Sequence, residues 1–144
     1  MATTSNIRFE SSTPAVLPPT VRYILRIEGL AAGVISAVLY ARTGASWWLF
    51  AALWLVPDLS ILGYLGRPCR AARIYNAAHT YTLPITLALA AMAMHANDLM
   101  PFALIWINHI GVDRLMGYGL KYPEGFGWTH LSRMRTLATR LIER

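Results

Sequence analysis

Two ionisable side chains stand one helical turn apart inside a long apolar stretch, residues 105–120. His109 and Asp113 are spaced i, i+4, so a helix places them on the same face. An ionisable group in hydrocarbon costs a few kcal/mol, and such groups persist mainly where they pair, bind an ion or react. Imidazole and carboxylate together are ligands that Zn, Mn and Fe accept. The pair therefore predicts a functional site in a membrane-spanning helix and favours a divalent metal as its occupant.

The other apolar segments each carry an ionisable group of their own. Glu28, Asp58 and His79 lie about seven or eight residues from the same end of their segments, which is roughly 10–12 Å along a helix. Antiparallel helices would bring these groups into one layer with His109 and Asp113, and bundle cores build metal sites in this way. Buried carboxylates also need a compensating cation. We expect four metal ligands, His79, His109, Asp113 and Asp58, and we expect Asp58 or Glu28 to act as the catalytic base.

Polar side chains near these positions are candidates for orienting the ligands or binding substrate. Tyr75 and Asn76 precede His79 by about one helical turn. Arg114 directly follows Asp113, but consecutive side chains diverge by about 100° around a helix, so the two are not expected to pair. The full set of such candidates is Tyr75, Asn76, Tyr64, Tyr118 and Arg114.

Composition indicates an integral membrane protein with a single small domain. Of the 144 residues, 56% are hydrophobic and only 14% are charged, whereas about a quarter of a typical soluble domain is charged. The net charge is +6, but the basic residues flank apolar segments and do not form a stripe with interleaved aromatic residues, which argues against a nucleic-acid partner. Membrane lipids are the expected partners. A single cysteine excludes an intramolecular disulfide.

Four apolar segments each have about the 20 residues that are needed to cross a bilayer. They are residues 20–40, 46–65, 71–95 and 99–120. The predicted fold is all-α, an antiparallel bundle of four transmembrane helices within residues 20–127. Residues 1–19 are predicted to be a flexible, Pro-rich arm, and residues 128–144 a short basic amphipathic helix on the membrane surface. Pro57 is expected to weaken the second helix just before Asp58.

The distribution of basic residues predicts the topology. Arg and Lys are concentrated before the first segment, between the second and third, and after the fourth. The positive-inside rule then places both termini in the cytoplasm of a multi-pass inner-membrane protein. Gly29 and Gly33 form a small-xxx-small pair on the first helix, which predicts a helix-packing surface and allows a homo-oligomer through helix one.

Three stretches resemble a family of small bacterial four-helix integral membrane proteins classified as a domain of unknown function. They are PDLSILGY at 57–64, YNAAHTY at 75–81 and HIGVDRLMGYGLKYP at 109–123. The similarity covers roughly residues 22–133, includes residues 26–29, and implies no established activity. His and Asp residues on short transmembrane helices are also similar to membrane-bound metal-dependent hydrolases, which implies hydrolysis by analogy only.

The function predicted from these observations is metal-dependent hydrolysis of a lipid or another apolar substrate. His79, His109 and Asp113 would hold the ion, which would acidify bound water. Two alternatives stay open. One is a small transporter or proton relay in which Glu28, Asp58 and His79 exchange protons. The other is a redox protein with a di-iron centre or a bound quinone.

Overall fold

The computed structural model describes residues 17–65, 68–122 and 129–131, without the side chains at 64, 65, 68 and 69. Within these ranges the chain is helical, as predicted, and its β-structure is limited to an isolated bridge between Lys121 and Thr129. Most of the predicted N-terminal arm and nearly all of the predicted C-terminal amphipathic helix lie outside the described residues. The helices are α1 (Pro19–Thr43), α2 (Trp47–Trp54), α3 (Pro68–Ala78), α4 (Thr82–Ala93) and α5 (Met100–Met116), with 3₁₀ segments at Val56–Leu65 and Asn97–Leu99.

The long helix α1 packs along α5 through glycines. A Cβ atom on Gly111 of α5 would lie 2.7 Å from the carbonyl oxygen of Gly29 and 2.7 Å from the backbone nitrogen of Gly33. Only glycine permits so close an approach of two backbones. The prediction that the Gly29–Gly33 pair is a packing surface is confirmed, and its partner is α5 of the same chain.

Helix α1 is also the one described helix long and apolar enough to cross a membrane. It has 25 residues, and a stripe of small residues and Tyr40 is buried while most of its large apolar side chains are exposed. The apolar stretches Trp47–Gly63 and Thr82–Ala93 are shorter.

The second predicted helix, 46–65, is not a continuous α-helix. Helix α2 ends at Trp54, and a 3₁₀ segment of 10 residues follows at Val56–Leu65. Pro57 lies at this change, where its missing N–H and its ring prevent regular α-helical hydrogen bonding. The expectation that Pro57 weakens this helix is confirmed. A 3₁₀ run of this length is uncommon, and such runs often mark a functional position.

The third predicted helix, 71–95, is also corrected. Helix α3 ends at Ala78 and α4 begins at Thr82, so His79 lies at the break. Pro84 lies in the first turn of α4. In a continuous helix its ring would clash with the carbonyl of Thr80, so the helix must be interrupted before it.

Helix α5 is the centre of the fold. It contacts α1, α2 and α4, and Leu104 and Ile105 form a buried core with Tyr40 of α1. It ends at Met116 and is capped by Gly117, which has a φ of 91°. The N–H of Tyr118 donates to the carbonyl of Asp113 over 2.8 Å, the bond expected of a Schellman motif. The predicted helix continued to residue 120, whereas this cap ends it four residues earlier.

Candidate metal centre

Four of the predicted site residues meet at one point, namely Asp58, His79, His109 and Asp113. One ligand atom from each lies within 4.8 Å of the other three. His109 and Asp113 come from adjacent turns of α5, Asp58 from the first turn of the 3₁₀ segment, and His79 from the break between α3 and α4. The two interrupted segments therefore each contribute one residue, and the continuous helix contributes two.

The separations suit the ligand shell of one small divalent ion. The two Nε2 atoms of His79 and His109 are 3.3 Å apart, and Asp58 Oδ1 lies 3.4 Å from the first and 3.6 Å from the second. Asp113 Oδ2 lies 3.6 Å from each Nε2 atom. A tetrahedral Zn²⁺ with ligands at about 2.0–2.2 Å has ligand–ligand edges of about 3.3–3.6 Å. As hydrogen bonds the same contacts would be weak, because N–H···O distances are usually about 2.7–3.2 Å.

A backbone contact at Nδ1 fixes the orientation of the His79 ring. Its Nδ1 lies 2.9 Å from the carbonyl oxygen of Tyr75, and because a carbonyl only accepts, Nδ1 carries the proton. Nε2 is then left with a lone pair that points at the cluster. Metal-ligating histidines are held by this kind of contact to a carbonyl or carboxylate.

His109 is completely buried and is held by a tryptophan. The ring of Trp54 lies edge-to-face with the imidazole, with centroids 5.0 Å apart. Its indole N–H donates to Asn108 Oδ1 over 2.9 Å, and Asn108 Nδ2 donates to the carbonyl of Gly33 over 2.8 Å. The Nδ1 atom of His109 has no hydrogen-bond partner among the described atoms, although the Trp54 backbone lies close to the imidazole. This network ties α1, α2 and α5 together beside the ligand.

A second tryptophan holds the break that carries His79. The indole N–H of Trp106, on α5, donates to the carbonyl of Ala78 over 2.6 Å. Ala78 is the last residue of α3, so its carbonyl lacks a partner within the helix. Neither Trp54 nor Trp106 was predicted from the sequence. The sequence offers one indication of such a role, because an indole N–H in an apolar segment needs a hydrogen-bond acceptor.

Lys121 and Tyr75 form a stack on His79. The Tyr75 ring lies parallel to the imidazole at 3.8 Å between centroids, and Lys121 Nζ lies 4.3 Å from the centroid of the tyrosine ring. Burial lowers the pKa of Lys121 to about 8, although Asp58 and Asp113 partly oppose this shift. The sequence had suggested only a flanking basic charge for Lys121, but it belongs to the same motif as His109 and Asp113.

Asn76 secures the chain segment that bears Lys121. Its Nδ2 donates to the Lys121 carbonyl over 2.9 Å, and its Oδ1 accepts from the Lys121 N–H over 2.7 Å. The amide thus satisfies both backbone groups of one residue. Tyr75 and Asn76 both lie where a supporting role was expected.

Other predicted candidates do not meet the cluster. Glu28 is exposed on α1 and is not one of the four converging groups. Tyr118 is exposed just after α5, and the side chain of Tyr64 lies outside the described residues. Arg114 has its guanidinium carbon 5.8 Å from the Tyr81 ring centroid and its Nη1 3.4 Å from His130 Nε2. Among the described residues it forms no salt bridge with Asp113, as predicted.

Comparison with known protein families gave a match. The family described as "Domain of unknown function (DUF4260)" matches residues 22–134, which include all four residues of the cluster. Searches of curated proteins and of solved structures found no match. The resemblance noted in the sequence is confirmed by the extent of this match, which covers most of the chain. The protein belongs to the DUF4260 family of domains of unknown function.

Proposed function

We propose that this protein is a membrane-embedded, metal-dependent hydrolase of a lipid or another apolar substrate. The observation that carries the proposal is the arrangement of Asp58, His79, His109 and Asp113, whose ligand atoms all lie within 4.8 Å of one another, with 3.3–3.6 Å for the five pairs that involve a histidine. These distances fit a tetrahedral divalent ion such as Zn²⁺, and Mn or Fe accept the same ligands.

Exposed apolar surface supports a membrane location. Ile24, Ile27, Val34, Ile35 and Val38 on α1 are each more than half exposed, and soluble monomers rarely expose so continuous an apolar face. We propose four crossings with both termini in the cytoplasm, as the basic residues suggest.

The interrupted segments are compatible with four crossings. Helix α2 has 8 residues and the 3₁₀ segment has 10, which together extend about 32 Å if roughly in line. Interrupted helices occur in membranes where the irregular backbone is buried in protein or lines a site. A homo-oligomer through helix one would use the exposed face of α1, since α5 covers its glycines.

An apolar groove beside the cluster supports an apolar substrate. Its volume is about 410 Å³, and it is lined by residues that include Pro57, Ala78, Phe102 and Ile105. Pro57 and Ala78 immediately precede Asp58 and His79 in the chain. A hydrocarbon portion in this groove would therefore contact the residues that precede two of the four clustered residues, and a mostly apolar lining is expected of a ligand-binding site.

The differing exposure of the four side chains suggests their roles. The side chains of His109, His79 and Asp113 are 0%, 4% and 16% exposed, and that of Asp58 is 35% exposed. Catalytic zinc sites use three protein ligands and keep one open position. His79, His109 and Asp113 would hold the ion, and Asp58, the most exposed of the four, would leave the fourth ligand position to a water molecule and accept a proton from that water. When bound, the ion supplies Lewis acidity, which lowers the pKa of water and polarises the scissile group.

The decisive experiment combines metal analysis with two neighbouring substitutions. Detergent-purified protein should contain a divalent metal, and hydrolysis of a long-chain ester should stop with chelator and return with the metal. Asp113→Asn should lower metal content by about tenfold or more, since loss of a supporting contact alone costs 10–100-fold. Arg114→Gln, which alters the adjacent residue, should retain the metal.

Other outcomes would contradict the proposal. If the purified protein is free of metal and Asp113→Asn and Arg114→Gln behave alike, the cluster is not a metal site. Proton transport by the metal-free protein in liposomes would then favour a relay through the same residues.

A further inference from the structure

A second pocket lies away from the metal centre, where α1 begins and α5 ends. Its volume is about 320 Å³, and its lining includes Arg22, Tyr23, Arg26, Met116 and Tyr118. It shares no residue with the four-residue cluster. Two arginines and two tyrosines thus line one opening.

The described residues that line the pocket include two arginines and no carboxylate, so the opening is positively charged. The Nε atom of Arg22 is buried and has no hydrogen-bond partner among the described atoms. Burying a donor without an acceptor is unfavourable, most of all for a charged group. An acceptor from outside the protein would remove this cost.

Arg26 forms a hydrogen bond within the protein but retains further N–H donors. Its Nη2 donates to the carbonyl of Met116 over 2.9 Å, so it caps the last turn of α5. A guanidinium has five N–H donors in a fixed fork. The remaining donors can therefore serve the same acceptor as Arg22.

The start of α1 adds to the positive potential. The helix begins at Pro19 without a side-chain cap and has no acidic residue in its first turn. Uncapped N–H groups and the helix dipole favour an anion at this end. Pro19 itself lines the pocket.

We propose that this pocket binds a phosphate group, either on the headgroup of an anionic phospholipid or free in solution. Bidentate arginine contacts suit phosphate oxygens, and basic pockets on the cytoplasmic side of membrane helices bind lipid headgroups. The exposed apolar face of α1 extends away from the pocket and offers a path for acyl chains. The proposal goes beyond hydrolysis, and it does not depend on metal binding.

Native mass spectrometry of the full chain in detergent tests the proposal. The probes are phosphatidylglycerol and a diacylglycerol with the same acyl chains, which lacks the phosphate. Wild-type protein should bind phosphatidylglycerol about tenfold more tightly or better, and Arg22→Gln should reduce that affinity about tenfold. Arg42→Gln is the matched control, because Arg42 lies in the last turn of the same helix and outside the pocket.

Inorganic phosphate distinguishes the two sources of the ligand. Displacement of phosphatidylglycerol by millimolar phosphate supports a site for free phosphate, and resistance to it supports a headgroup site. Equal lipid binding by Arg22→Gln and Arg42→Gln would overturn the proposal. If Arg22→Gln does not fold, equal binding of phosphatidylglycerol and diacylglycerol by the wild type would overturn it. Metal content is measured in the same samples, so that failure of the phosphate-binding proposal can be distinguished from failure of the hydrolase proposal.

Discussion

The two halves of this fold are built in opposite ways. Helices α1 and α5 are continuous and touch backbone to backbone at Gly29, Gly33 and Gly111. The remaining segments are interrupted, one at Pro57 and one before Pro84. The continuous half contributes His109 and Asp113 as an i, i+4 pair, whereas the interrupted half contributes Asp58 and His79 singly.

The difference shows how a small helical fold can bring four candidate metal ligands to one point. A regular helix fixes the relative placement of residues one turn apart, so α5 supplies a ready pair. A third and fourth ligand must reach that pair from other directions. Breaks in the neighbouring segments release the chain from helical geometry near Asp58 and His79. Hydrogen bonds from Trp54 and Trp106 then hold these segments against α5.

The largest effect should come from removing the imidazole of His79 or that of His109, each of which belongs to a different half of the fold. If both halves hold the same ion, His79→Ala and His109→Ala should each lower metal content by about tenfold or more. Elemental analysis of the folded variants measures this. His95→Ala is the control, because His95 is exposed and outside the cluster. Full metal content in a folded His79→Ala protein would remove the interrupted half from the site.

An intermediate effect should follow from adding a methyl group to the continuous half. Gly111→Ala places a Cβ atom 2.7 Å from backbone atoms of α1, so the helices must separate, at a cost of about 1–3 kcal/mol. Gly33→Ala is the matched control, because its Cβ atom would lie 3.8 Å from Val112, an ordinary contact. Thermal unfolding in detergent compares the two. Equal melting temperatures would show that the close approach is not needed for stability.

The smallest effect should come from the two indole hydrogen bonds that join the halves. Trp54→Phe and Trp106→Phe keep an aromatic ring but remove the N–H, and each should cost about 1 kcal/mol. Trp48→Phe should be neutral, because Trp48 is 86% exposed. Thermal unfolding again gives the measure. If all three variants unfold alike, these hydrogen bonds do not hold the interrupted half in place.

The sequence predicted the parts of the site that depend on regular geometry. The i, i+4 spacing of His109 and Asp113 predicts that they share a helix face. The similar depth of Asp58 and His79 along their segments predicts that they lie in the same layer as this pair. Depth also grouped Glu28, which lies exposed on α1, because depth along a helix says nothing about the face on which a side chain lies. Orientation around the helix is decided by packing.

The breaks and the return of the chain after α5 were harder to predict. Pro57 marks a weak point in the second segment, whereas the hydropathy of 71–95 predicts a single span across Pro84. The stack of Lys121 on Tyr75 depends on the Gly117 cap and on the Asn76 side chain. Such contacts between distant residues leave no periodic signal in the sequence.

The contact between α1 and α5 has a consequence for biosynthesis. A chain is made from its N-terminus, so α1 emerges before α5, the last of the described helices, and its glycine surface stays uncovered until α5 has been made. Asp113 is likewise the last of the four clustered residues to be synthesised. Folding of this domain therefore depends on contacts between distant parts of the chain, which slows it, and the four-residue cluster can be complete only after Asp113 has been made.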